Sequence, residues 1–375
     1  MYCLIANARQ IKNRQCTFEV TRVERQQAAS VKFDVRTSTR CRGDIAKFCQ
    51  NVRDEGGAIH ACLQDHMSEL STECRATEFQ DLKMIASNSK VNVQLQRACK
   101  TDLAKLCSNV ADSNVPNTDV QCLMDAVTNE EGGRVSQTCK SYLKRFQKLT
   151  REDIALRPRI MRTCAKDIAR ECTVPRTDVL SCLVDKVDKL LNDDCQELVQ
   201  NEIAQEARDI DLDPSSLRAC QADLDKFCSN LKDDTLSGSG YGGRSGEAHA
   251  CLRQHMSQLS KSCQATQRHS IRRESTSIRF KPKMLRACRS EMKSLCNIHS
   301  PQSAEMLTCL RSMWEDAEMG TACREELIAD EAAINADLRA DAIFMAQCEQ
   351  PLRRYCPSVL NEARTPADQV GSIVQ

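Results

Sequence analysis

The sequence is poor in aromatic residues, which make up 3% of its 375 positions with a single tryptophan. That leaves no aromatic platform on which nucleic-acid bases could stack. Charge of one sign is missing too: 53 Lys and Arg stand against 52 Asp and Glu. No global field draws the chain to nucleic acid or to an anionic lipid surface. No apolar run approaches the roughly 18 residues of a membrane-spanning helix. The opening residues, MYCLIANARQIKNRQC, lack the apolar core of a secretory leader. There is no C-x-x-C pair, which removes the closely spaced ligands of structural zinc sites. The N-x-[ST] acceptor is absent as well, so N-glycosylation of this stretch is not supported.

What the sequence does have is cysteine, 24 residues in all. In a reducing compartment so many thiols would be metal ligands, and in an oxidising one disulfides. The nearest two are eight positions apart, which favours disulfides. A disulfide-rich chain without an entry signal reads as a piece of a larger secreted or membrane protein.

The cysteines form five quartets: 41/49/62/74, 99/107/122/139, 164/172/182/195, 220/228/251/263 and 288/296/309/323. Cys3 and Cys16 match the last two members of a quartet, and Cys348 and Cys356 the first two. First to second cysteine is always eight residues, and fourth to the next first is always 25. Second to third varies from 10 to 23, and third to fourth from 12 to 17. Fixed spacings mark packed segments, and variable ones mark loops, where added length costs little.

Segments such as CKTDLAKLC, CAKDIAREC and CQADLDKFC have helical texture. The cysteine, the aliphatic residue at +4 and the residue at +7 or +8 share one apolar face, and the acid at +3 lies off it. Pro158, Pro214 and Pro282 stand six before a first cysteine, the place for proline in a first helical turn. The third cysteine opens a second short helix, as in CLQDHMSEL. Asn13, Ser71, Ser136, Asn192, Ser260 and Gly320 each stand three before a fourth cysteine and are N-cap types, so a third helix starts there. The expected fold is all-α: tandem disulfide-stapled helical repeats, about three helices each, in an elongated array. Full repeats span 41–98, 99–163, 164–219, 220–287 and 288–347. A partial repeat occupies 1–40, and the start of another, with a tail, occupies 348–375.

Four cysteines allow three connectivities. If the second helix returns antiparallel to the first, first-to-fourth and second-to-third pairing follows. The expected bridges are then Cys41–Cys74, Cys49–Cys62, Cys99–Cys139, Cys107–Cys122, Cys164–Cys195, Cys172–Cys182, Cys220–Cys263, Cys228–Cys251, Cys288–Cys323 and Cys296–Cys309. Cys3, Cys16, Cys348 and Cys356 are left unpaired within this stretch. A rival arrangement links the fourth cysteine to the second cysteine of the following repeat.

The pattern C-x2-[DE]-[ILM]-x3-C … C-L-x3-[MV]-x2-L … C, with CRGDIAKFCQNVRDEGGAIHACLQDHMSELSTEC as its fullest example, resembles a known repeat. It is that of the Golgi apparatus protein 1 family, also described as cysteine-rich fibroblast growth factor receptor and as E-selectin ligand. The resemblance spans roughly residues 1–357. It implies a lumenal array on a Golgi membrane glycoprotein, anchored by one transmembrane helix that is absent from this stretch. It further implies a non-enzymatic scaffold that binds fibroblast growth factors or other secreted ligands and influences their trafficking. No cofactor, metal or nucleic-acid partner is implied. The alternative is an intracellular metal-binding or redox helical protein, but twin-cysteine proteins of that kind use C-x9-C rather than C-x7-C.

Weaker signals read blandly. His60 and His66 flank Cys62 as His249 and His255 flank Cys251, and surface or interface histidine fits them better than zinc ligation. GSGYGG, from Gly238 to Gly243, lies in a variable loop and reads as a flexible insertion. RHSIRRESTSIRFKPK, from Arg268 to Lys283, is the one basic stretch and reads as a solvated face, with a sulfated glycan as the sharper option. Arg42-Gly43-Asp44 spells an adhesion tripeptide but occupies ordinary helical positions of the repeat. The +3 acids (Asp44, Asp102, Asp167, Asp223, Glu291) recur once per repeat, which points to a structural role such as a bond to a neighbouring helix.

Overall fold

A computed structural model describes residues 2–6, 10–110, 117–128, 135–232, 240–241, 246–296, 304–335 and 340–356. The chain divides into two units, residues 1–195 and 196–375. Among the described residues the regular elements are α- and 3-10 helices, with no strand. No described helix is long and apolar enough to cross a membrane.

The constant 25-residue interval has a constant architecture. It begins with the third helix of a repeat: Arg14–Ala29, Thr72–Ser87, Gln137–Arg151, Asp193–Arg208 and Lys261–Glu274. A 3-10 turn follows each: Val31–Phe33, Ser89–Val91, Ile154–Leu156, Ile210–Leu212 and Ile278–Phe280. Ser30, Asn88, Asp153, Asp209 and Ser277, each eleven before a first cysteine, cap these turns by accepting the backbone N–H two residues on. Asp34, Asn92, Asp213 and Asp341, seven before a first cysteine, then cap the next helix. In the other two repeats that place holds Arg157 and Lys281, and the following proline supplies the helix start instead. Two caps at fixed offsets leave no room for insertion.

The first helix departs from a single rod. It runs Val35–Arg40 then Arg42–Phe48, Val93–Ala98 then Lys100–Leu106, and Pro158–Thr163 then Ala165–Glu171, slackening at the cysteine between. At Cys41 φ is −97° and ψ is 5°. The ladder still runs through this point, with Cys41 N–H donating to Thr37 O at 2.9 Å and Ile45 N–H to Cys41 O at 2.8 Å. Pro214–Phe227 keeps its helix unbroken. The second helix also differs from expectation, since it is already under way at the third cysteine: Ala58–Asp65, Thr118–Thr128, Val179–Asp185, Glu247–Gln254 and Ala304–Ser312. What fixes it is the leucine after that cysteine. Leu63, Leu123, Leu183, Leu252 and Leu310 are all fully buried.

Apart from a larger cluster around Cys99 and Cys107, each described repeat core is small. In one it comprises Val31, Cys41, Cys49, Ile59, Leu63, Leu70 and Cys74, and comparable clusters surround Cys220 and Cys288. Disulfides compensate for such thin cores. In all five repeats the first cysteine is bonded to the fourth and the second to the third. Twenty cysteines are thereby committed to bridges and withdrawn from thiolate chemistry. Each bridge contributes about 2–4 kcal/mol by restricting the unfolded chain. Cys3, Cys16, Cys348 and Cys356 lie outside these ten bridges.

Candidate functional site

Two constellations of polar side chains hold the repeats together. The first is a clasp between the first and third helices. Asp44, Asp102, Asp167, Asp223 and Glu291 are all buried, which corrects their expected place off the packed face. Ser71 donates to Asp44 through its backbone N–H at 3.1 Å and its hydroxyl at 2.6 Å. Ser136 does the same to Asp102, at 2.9 and 2.6 Å, and Ser260 to Asp223, at 3.2 and 2.7 Å. Asp167 accepts the N–H groups of Leu191 and Asn192. The helical wheel hid this because +3 falls outside the stripe that meets the second helix, whereas the start of the third helix reaches it from the side. Ser71, Ser136, Asn192 and Ser260 also accept the N–H of the fourth cysteine, as Ser71 does from Cys74 at 3.4 Å and Asn192 from Cys195 at 2.9 Å. The carboxylate therefore positions the cap, and the cap positions the bridged cysteine.

The last clasp varies both partners together. Glu291 is one methylene longer than Asp and reaches the Gly320 N–H at 3.1 Å. A Cβ at position 320 would lie 2.5 Å from Glu291 Oε1. The longer acid thus requires the missing side chain.

The second constellation is a buried junction of three helices. His60, on Ala58–Asp65, sits 4% exposed between two third helices. Its Nε2–H donates to Gln27 O at 3.1 Å, and its Nδ1 faces Glu78 Oε1 at 2.9 Å. The Gln27 carbonyl accepts at one nitrogen, and the Glu78 carboxylate at the other favours the charged ring. Burial alone would lower its pKa, but the Glu78 carboxylate, with help from Asp81, raises it to about 9. Asp81 lies alongside, accepting from Thr37 Oγ1 at 3.1 Å and Arg36 Nη2 at 3.4 Å. Burial, reinforced by Glu78, pushes its carboxyl up to about 7.

In the second unit the same frame surrounds His249, 3% exposed. Its Nε2 meets Glu206 O at 3.1 Å and its Nδ1 meets Gln267 Oε1 at 3.2 Å. Here Gln267 and Ser270 stand where Glu78 and Asp81 stand in the first unit. Burial, together with Arg253, lowers this histidine's pKa. One frame therefore holds a charged imidazolium in one unit and a neutral imidazole in the other.

Both histidines were expected at a surface or interface, and the structure buries them in repeat junctions. His66 and His255 instead stack on Phe48 and Phe227, with centroids 4.6 and 4.8 Å apart. The signal for the burial was a glycine three before each buried histidine. Gly57 and Gly246 have φ of 82° and 83° and donate their N–H to Ala29 O and Arg208 O, both at 2.8 Å. A Cβ at Gly57 would approach Ala28 O to 2.9 Å. Glycine alone permits both the conformation and this approach.

The other sequence signals resolve by placement. Arg42-Gly43-Asp44 lies in the helix Arg42–Phe48, and Asp44 is engaged by Ser71, so the tripeptide is not displayed as a loop. The stretch from Arg268 to Lys283 is not a purely solvated face. Arg273 pairs with Glu206 at 3.1 Å, Lys281 is buried against Asp330, and Arg279 reaches Asn201. Of GSGYGG, only Gly240 and Tyr241 fall among the described residues, and they are anchored. Tyr241 is buried, its N–H donates to Asp211 Oδ1 at 3.1 Å, and its hydroxyl bonds Asp225.

Fixed cysteine spacing, in-repeat bridges and the carboxylate clasp define a tandem disulfide-stapled helical repeat protein. The sequence profile of the cysteine rich repeat matches residues 14–71, 72–131, 137–191, 193–260 and 261–318, and the chain belongs to that family. These matches are phased from the cap of the third helix, so the first-to-fourth bridge joins consecutive matched units, as Cys41–Cys74 does. Golgi apparatus protein 1 of Gallus gallus is 24% identical over 96% of this chain and 31% of its own length. The Homo sapiens protein of that name is 24% identical over 96% of this chain and 37% of its own. The Golgi apparatus protein 1 homolog of Caenorhabditis elegans is 24% identical over 78% of this chain and 27% of its own. The chain thus spans about a third of the length of these relatives. No solved structure matches it.

Proposed function

We propose that the chain is a non-enzymatic binding scaffold on the lumenal side of the Golgi apparatus, presenting its repeats to secreted protein ligands. The family's short name carries the abbreviation FGFR, for fibroblast growth factor receptor, so growth factors of that class are the first ligands to test. Binding would retain or redirect such ligands during secretion. The observation that carries this reading is the division of each repeat into an invariant frame and a variable loop. Caps, clasps and bridges hold the frame, while the second-to-third cysteine interval changes from 10 to 23 residues. Variable loops on a rigid frame are where recognition is placed in many scaffolds.

The test is surface plasmon resonance of the oxidised chain against a panel of fibroblast growth factors. Each of the other four second-to-third loops is exchanged in turn for the nine residues between Cys172 and Cys182. Saturable binding lost with one loop supports the reading. No saturable binding, or binding that survives reduction of the bridges, overturns it.

A further inference from the structure

We propose that His60, Glu78 and Asp81 form a binding site for one divalent transition-metal ion, with Zn2+ as its representative. One ring nitrogen of His60 and one carboxylate oxygen from each acid lie within 4.8 Å of one another. All three residues are buried, and Glu78 is fully so. Zinc takes such nitrogen and oxygen ligands at about 2.0–2.2 Å, so a shift of less than about 1 Å per side chain closes the shell. One imidazole with two carboxylates is a donor set for Zn2+ rather than for Ca2+, which takes oxygen alone.

Three further features fit an ion. His60 Nε2–H is held by the Gln27 carbonyl, the outer bond that orients metal-ligating histidines and leaves the other nitrogen to face the ion. Nδ1 faces a carboxylate oxygen at 2.9 Å; without a cation between them these would be two lone pairs in opposition. A proton fills that role here, and a metal ion is the other cation that can. A small cleft lined by Gln27, Asp34, His60, Gln64, Asp81 and Asn92 borders the cluster. Asn92 is 1% exposed, and its Nδ2 is buried without a hydrogen-bond partner. Its free donor suits the oxygen of a water or anion completing the ion's shell.

The second unit supplies an internal contrast. Its histidine keeps the carbonyl bond to Glu206 O, but Gln267 and Ser270 replace the two acids. The frame therefore tolerates the neutral set, and the acids at 78 and 81 are not required merely to pack a histidine.

The experiment is calorimetric titration of the oxidised chain with Zn2+, Mn2+ and Ca2+, after alkylation of Cys3, Cys16, Cys348 and Cys356. The wild type is expected to bind one Zn2+ saturably, more tightly than Ca2+. E78Q/D81S, which installs the side chains of the second unit, is expected to weaken that binding by about 100-fold or more while keeping the helical circular dichroism. H60N tests the imidazole separately, and X-ray absorption at the zinc edge is expected to show nitrogen and oxygen ligands including a histidine. No zinc binding by the wild type, unchanged binding by both variants, Ca2+ bound as tightly as Zn2+, or an absorption spectrum without histidine would each overturn the proposal.

Discussion

Gly320 is the one cap residue without a side chain, and exchanging it for serine, as found at positions 71, 136 and 260, is expected to destabilise the last full repeat. An added Cβ would stand 2.5 Å from Glu291 Oε1. Gly320 is not among the glycines at positive φ, Gly56, Gly57 and Gly246, so the backbone itself accepts serine. The cost is then the displaced carboxylate and its lost bond to the Gly320 N–H. A hydrogen bond to a charged group contributes about 1.5–3 kcal/mol, so G320S should cost about 2 kcal/mol. E291D alone leaves the carboxylate one methylene short and should cost about as much. The double variant E291D/G320S rebuilds the Asp–Ser clasp of the other repeats and should return near wild-type stability. The coupling between the two changes is therefore expected to exceed about 2 kcal/mol. Urea unfolding of the oxidised chain gives the sum. Hydrogen exchange of the amides at 320–326 reports the local opening, since bridged repeats open in parts. Additivity of the two costs within about 0.5 kcal/mol would refute the clasp as the reason for the Glu–Gly pairing.

The two buried histidines should respond differently to loss of charge. H60Q strands the fully buried Glu78 and should cost about 3–5 kcal/mol, whereas H249Q exchanges neutral partners and should cost about 1 kcal/mol. Equal losses in urea unfolding would contradict their opposite ionisation. G57A should cost about 1–3 kcal/mol because it adds a side chain at positive φ against a carbonyl, and protection of the helix Ala58–Asp65 in hydrogen exchange should fall with it. Glu24 is 5% exposed, and burial raises its pKa to about 7 from an ordinary 4.5. The folded state holds that proton more tightly, so stability should fall as pH rises from about 4.5 to 7 and level off above. E24Q should remove this slope and gain up to about 3 kcal/mol at pH 8; an unchanged slope would show that Glu24 is not its source.

Much of the fold was legible because covalent geometry and capping leave regular marks. A cysteine every eight and then 25 residues can only be kept by a rigid segment, and Asn or Ser three before the fourth cysteine announces a helix start. The capped 3-10 turn was harder to see. Its polar residues, such as Ser30 and Asp34, are spaced by four and read equally well as a solvated helical face. The clasp was half legible. Recurrence of Asp44 and its equivalents pointed to a bond with a neighbouring helix, but a two-helix wheel could not show that they are buried. The junction was the least legible. His60 gains its charge from Glu78 and Asp81, which lie 18 and 21 residues onward in another helix, and no local pattern joins them. Only the glycine of Gly57-x-x-His60, repeated at Gly246-x-x-His249, carried a trace of it.

Bridges that close within each repeat hold this fold together, and non-reducing peptide mapping by mass spectrometry tests them most directly. Digestion of the oxidised chain should yield linked peptides for first-to-fourth and second-to-third cysteines in all five repeats, such as Cys41 with Cys74 and Cys49 with Cys62. Peptides linking a fourth cysteine to the second cysteine of the next repeat, such as Cys74 with Cys107, would contradict that pairing.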